Sequence, residues 1–104
     1  MQNLGNLIRK KREDRNLLLR EASALLEIDQ AVLSKIERND RKATKQQVLK
    51  FSEIYKINKD KLLITWLSDK VAYDLLDEDL AKQVLVVAEK KINYQRRQKY
   101  NGNK

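Results

Sequence analysis

Between Gly5 and Gly102 the chain has no glycine, and it has no proline at all. A sequence of 104 residues so short of turn formers is poorly suited to the repeated tight corners of a β-sandwich or barrel, whereas nothing in it interrupts a helix. The apolar residues agree, recurring three and four apart rather than in alternation. An all-α fold is expected, as one compact domain with an extension, because the length does not suffice for two full cores.

Leu4, Leu7 and Ile8, ahead of the charged "RKKREDR", mark a first helix over about residues 3–14, with Asn16 as its terminator. Leu19, Ala22, Leu25 and Leu26 mark a short second helix over about 18–26. Asp29 stands where its carboxylate can accept free backbone amides at the start of a third, over about 30–38. Thr44 and Gln47 have capping-box spacing before a fourth of about 45–55, whose apolar stripe is Val48, Phe51, Ile54 and Tyr55. Asn58 can cap a fifth helix containing Leu62, Leu63 and Trp66, and Ser68 a sixth containing Val71, Ala72, Leu75 and Leu76. Asp77, Glu78 and Asp79 then suit the positive end of a longer final helix striped by Leu80, Val84, Val87 and Ile92, with Leu85, Ala88 and Tyr94 beside them. Beyond Tyr94 the polar, basic "QRRQKYNGNK" reads as frayed.

Charge is distributed unevenly. Residues 1–50 hold twelve basic and seven acidic side chains, 51–88 five and seven, and 89–104 six and one. Basic ends on a chain of net charge +8 favour a polyanionic partner, nucleic acid before an anionic membrane surface. The absence of Cys and His removes disulfides, thiol catalysis, imidazole bases and Cys/His zinc sites. No metal, cofactor or small-molecule ligand is expected. No run of about 18 apolar residues is present, and the first residues lack the apolar core of a signal peptide, so no membrane association and a cytoplasmic location are expected. Asp77, Glu78 and Asp79 offer paired carboxylates, but at a helix start they serve as caps, and the chain is not expected to be an enzyme.

The second and third helices are joined by about three residues, "EID", with Ile28 able to pin the turn into the core. That is the spacing of a helix-turn-helix. With Ile28, Leu33 and Ile36 facing inward, Gln30, Ala31, Lys35 and Arg38 lie on or near the outward side. An amide for a base edge, a small group for close approach and cations for guanine or phosphate give that side the chemistry of a groove reader.

Through "LGNLIRKKRED", "LREASALLEIDQAVLSKIERN" and "VLKFSEIYKINKDKL", about residues 4–62, the sequence resembles the Cro/CI-type helix-turn-helix proteins of the XRE family. The resemblance implies a five-helix DNA-binding domain over residues 1–66; the apolar stripe beyond it is expected to make a C-terminal helical dimerisation extension over 67–96, the alternative being a last helix folded back on its own domain, and the polar end a flexible basic tail over 97–104. It implies a structural ion pair between Arg12 and Glu37, matching the buried arginine and glutamate of similar domains. It also exposes departures. Leu18 and Leu19 stand where relatives carry a capping serine and a glutamine that meets the DNA backbone, and Glu27 replaces the glycine of the turn. Arg20 is a candidate compensating cation.

Under this resemblance the partner is double-stranded DNA. Gln30, Ala31, Val32 and Lys35 are candidates for base edges, and Arg9, Arg20, Arg38, Asn39, Arg41 and Lys42 for phosphates. Val32 reads equally as partly core. A lone recognition helix covers few base pairs, so a homodimer is expected, with Trp66, Leu76, Leu80, Val84, Val87 and Tyr94 as its interface. The function implied is operator binding by a small repressor or autoregulator, similar to phage repressors or restriction–modification controller proteins. The alternative is an antitoxin or interaction adaptor that uses its last helix to bind a partner protein.

Overall fold

In a computed structural model, which describes residues 2–102, the described residues form six helices and no strand. They are α1 (Leu4–Asp14), α2 (Leu19–Leu26), α3 (Gln30–Glu37), α4 (Lys45–Tyr55), α5 (Lys59–Leu75) and α6 (Ala81–Gly102). The chain divides into two compact units, Met1–Val71 and Ala72–Lys104.

In the first unit α1 and α2 each pack against both α3 and α4. The core between them takes Leu4 and Ile8 from α1, Leu26 from α2, Leu33 and Ile36 from α3, Val48 and Phe51 from α4, and Leu62 from α5. Ile28 is buried from the turn between α2 and α3. Trp66 also belongs to this core. Its indole Nε1–H donates to the Ala43 carbonyl at 2.8 Å, and the Lys70 ammonium lies 3.6 Å from the ring centroid. The expectation that Trp66 lies in a dimer interface is therefore corrected: its single polar atom has a partner inside the domain, where a buried indole is satisfied.

Helix starts follow local chemistry. Asp29 Oδ1 accepts from the amides of Ala31 and Val32 at 2.9 and 3.2 Å. The Thr44 hydroxyl accepts from the Gln47 amide while the Gln47 side chain accepts from the Thr44 amide, closing a capping box. Asn58 Oδ1 accepts from the Lys61 amide. At α2 only half of such a box exists. Glu21 accepts from the Leu18 amide at 2.8 Å, but Leu18 has no acceptor to return.

Four helices end on a non-glycine residue in the left-handed region, Asn16, Glu27, Asn39 and Lys56. After α2 the Ile28 amide reaches back to the Ser23 carbonyl and the Glu27 amide to Ala24, the double closure of a Schellman turn. Glu27 sits at φ 57, ψ 41, where a Cβ costs about 1–2 kcal/mol. Glu27→Gly is expected to raise stability by a net ~0.5–1 kcal/mol, since glycine's larger unfolded-state entropy takes back part of the gain. Thermal melts of Glu27→Gly beside Glu27→Ala test this, and an equal midpoint in the two variants would remove the backbone explanation.

Two expectations are corrected beyond the core. The fifth and sixth helices are one continuous α5, because Ser68 does not cap: its hydroxyl donates to the Thr65 carbonyl at 3.0 Å, as serine does inside a helix. With no Gly or Pro between Leu62 and Leu75, ending and renucleating a helix would cost more than continuing it. The expected boundary after residue 66 falls within this helix. Nor does the chain fray at Tyr94. It stays helical to Gly102, through Gln, Arg and Lys residues that suit a helix, and the last basic side chains suit its negative end. Residues 103 and 104 of the expected tail lie outside the described residues.

In the second unit the end of α5 turns through residues 76–80 into α6, and none of its described residues is buried. Leu80, Val84, Val87 and Tyr94 are all exposed and fall within an arc of about 80° at 100° per residue. Leu76, in the turn, is 77% exposed. No helix among the described residues is long and apolar enough to cross a membrane.

Candidate nucleic-acid interface

At about 100° per residue, Leu33, Ile36 and Glu37 share the inward arc of α3, while Gln30, Ala31, Ser34, Lys35 and Arg38 share an outward arc of about 140°. Burial follows this division, with the first three buried and Gln30, Ala31, Lys35 and Arg38 exposed. Ser34, half-buried in the middle of the outward arc, was missed by the sequence reading, although it stands four residues from both Gln30 and Arg38. Val32 lies between the arcs, half-buried and packed against the core.

The buried carboxylate of Glu37 is held by a bidentate pair. Arg12 Nε donates to Oε2 at 2.8 Å and Arg12 Nη2 to Oε1 at 3.0 Å, while Nη1 donates to the Leu17 carbonyl at 2.8 Å. The two side chains are 12% and 4% exposed. Hydrogen bonding to Glu37 holds the Arg12 guanidinium above its ordinary pKa, against burial that pulls it down. The pair ties the last turn of α3 to α1, a use for which the planar arginine fork is well matched.

Tyr55 lies near this pair, stacked on Phe51 at 6.3 Å between centroids and under the Arg15 guanidinium. Its hydroxyl is buried without a hydrogen-bond partner in the protein. Burial first, and the negative charge of Glu37 second, push its pKa from 10.0 up to about 12. A raised folded-state value favours the protonated phenol, so the associated stability is complete below pH 10 and is lost as pH rises through 12. The loss is on the order of 2–3 kcal/mol, at about 1.4 per pH unit. Tyr55→Phe is expected to be as stable as the parent or about 1 kcal/mol more so at neutral pH, since an orphaned hydroxyl is removed, and to lose less stability in alkali. Urea titrations at pH 8 and pH 11.5 measure both, and identical alkaline losses in the two proteins would sink the assignment to Tyr55.

The remaining cations vary in their setting. Arg38 pairs with Asp40 at 3.4 Å and Arg9 with Glu13 at 2.9 Å, both on exposed surface where a phosphate can compete. Arg41 and Lys42 are exposed in the loop after α3, and Arg20 is exposed on α2. The structure thus gathers Gln30, Ala31, Lys35, Arg38, Arg41 and Lys42 on α3 and the chain following it, while Arg9 and Arg20 stand on other helices. Asn39 is also tied into the protein: its Oδ1 accepts from the Gly5 amide and its Nδ2 donates one hydrogen to Asn6 Oδ1, both at 3.1 Å, which anchors its side chain on α1. At the start of α2, Leu18 is exposed and Leu19 packs partly on the core, leaving no polar side chain there for a phosphate except that of Arg20.

Two short helices crossing at a buried Ile28, with the second turned outward, form the arrangement after which a family is named, and a helix-turn-helix family model matches residues 8–62. The chain belongs to the XRE-type helix-turn-helix family. That membership makes it a DNA-binding transcription regulator. The matched residues run from α1 into α5 and include the whole helix-turn-helix. Among solved structures, a chain titled "SinR protein/SinI protein complex" is similar over 93% of this chain and 98% of its own, at 21% identity and a TM-score of 0.54, a likeness of fold. Comparison with curated proteins returns no match.

Proposed function

We propose that this helix-turn-helix protein is a sequence-specific repressor that binds its operator as a homodimer, with α3 in the major groove. The outward arc of α3 carries this reading, because Gln30, Ala31, Ser34 and Lys35 take no part in the buried core and offer hydrogen-bonding groups and close approach along one side. Gln30 is assigned to an adenine edge, Lys35 to guanine, and Ala31 and Ser34 to close contact with neighbouring bases. Val32 contributes through its exposed part. Arg38, Arg41 and Lys42 hold phosphates beyond the end of α3, with Arg9 and Arg20 as outlying contacts. Leu76, Leu80, Val84, Val87 and Tyr94 supply the self-complementary surface that sets two reading helices one DNA turn apart.

Fluorescence anisotropy tests the reading with the duplex upstream of the protein's own gene and a scrambled duplex, across a salt series. Operator recognition predicts salt-dependent binding to both, at least about a thousandfold tighter for the first. Equal affinities that collapse together with salt, and no site from a genome-wide selection, would discard it.

A second reading rests on the exposed apolar row of α6, which suits a protein partner of a different kind. The similar solved chain is titled as a complex of two proteins. Light scattering on the pure protein separates the two, with a dimer supporting the first and a monomer the second.

A further inference from the structure

The first amides of a helix have no partner within it, and α1 does not meet this need with its own N-cap, since Asn3 makes no side-chain capping bond. Two distant residues meet it instead. Asp69, from α5, accepts from the Leu4 amide at 2.8 Å, where its negative charge also suits the positive end of the helix. Asn39, directly after α3, accepts from the Gly5 amide and donates to the Asn6 side chain. The approach is as close as a backbone allows: a Cβ at Gly5 would collide with the Asn39 side chain and the Ile36 carbonyl.

We propose that Asn39 and Asp69 are positioning residues for DNA binding: Asp69 fixes the first turn of α1 against α5, Asn39 fixes the end of α3 against that same turn, and so the two set the direction of the cations that follow, without touching DNA. The proposal rests on the reading that α3 enters the groove. Arg12–Glu37 and Gly5–Asn39 fasten the last turn of α3 to α1 at two points seven residues apart on α1, about 10 Å along its axis. Two separated attachments determine a direction, where one would leave a pivot. Arg38 and Arg41 flank the second attachment, so a shift there moves phosphate contacts directly. Asn39 also holds the left-handed backbone at φ 62 that closes α3.

The test uses the full chain and the upstream duplex, at a temperature where circular dichroism shows each variant folded. Asp69→Ala removes the anchor and also a negative charge. The positioning role predicts operator binding at least about tenfold weaker, while a purely electrostatic role predicts tighter binding. Asp69→Asn keeps an acceptor for the Leu4 amide and should stay within about threefold of the parent. Asn39→Gly keeps the left-handed backbone accessible but deletes the anchor, so its melting midpoint should fall modestly while operator affinity, measured where the variant is folded, falls about tenfold. Unchanged or tighter binding in Asp69→Ala overturns the proposal, as does unchanged affinity in Asn39→Gly, which also decides the matter if Asp69→Ala does not fold. Failure of the parent protein to prefer any duplex is a separate result, and refutes the DNA reading itself.

Discussion

Glu37→Ala is expected to lower unfolding stability by about 3–5 kcal/mol, because it leaves the Arg12 guanidinium nearly buried without its carboxylate. For a small domain this approaches the whole of a typical stability of about 5–15 kcal/mol, and corresponds to a drop in melting midpoint of at least ~12 °C. The cost comes from the unpaired charge more than from the lost attraction. Replacing both partners together, as Arg12→Met with Glu37→Leu, should therefore recover much of the loss while releasing the geometry that the fork enforces. Melting curves of the single and double variants distinguish these effects, and an unchanged midpoint in Glu37→Ala would mean the pair contributes nothing. The double variant is informative for function, since a stable protein with weaker operator binding would isolate the contribution of the pair to the direction of α3.

The second large effect concerns reading rather than folding. Gln30→Ala and Lys35→Ala should each weaken operator binding by about 1–3 kcal/mol, the range for a good base contact. Combined, they should bring the specific affinity about thirtyfold or more toward that for a scrambled duplex, with melting unaltered because both side chains are exposed. Arg41→Gln is the contrast. It should weaken binding to every duplex alike and reduce the salt slope by about 1. If Gln30→Ala and Lys35→Ala instead weakened all duplexes equally, α3 would be holding the backbone and the sequence would be read elsewhere.

The features legible in the sequence are those set by neighbouring residues. Asp29, Thr44 with Gln47, and Asn58 cap the helices they precede, and Asn16 ends α1 in a left-handed turn, because each of these acts within four residues of chain. Ile28 could be placed in the core from the short connection around it. Long-range commitments were hidden. A tryptophan at residue 66 is apolar enough for an interface or a core, and only the approach of the Ala43 carbonyl from 23 residues earlier makes it core. Ser68 has the composition of a cap, yet inside a run of helix formers its hydroxyl simply bonds backward. Asn39 is a polar residue beside cations and so reads as a phosphate ligand, and its bond to the amide of a residue 34 positions away could not be read from its neighbours. The lone glycine in the first turn of α1 was the available signal, since a helix tolerates glycine there at a cost that a close neighbour can explain.

The helix proposed to read DNA, α3, is eight residues long. A segment of that length has no helical existence in water on its own, being well below the ~12–15 residues at which isolated helices become marginal. Its shape is lent by Leu33, Ile36 and the attachments to α1, so its outward surface and the folded core disappear in one transition. For a cell, the concentration of competent regulator is then the total multiplied by the folded fraction, and under the repressor function proposed above, warming toward the melting midpoint would release its target gene well before any of the protein had been degraded. The melting curve of the first unit would double as the temperature response of the gene.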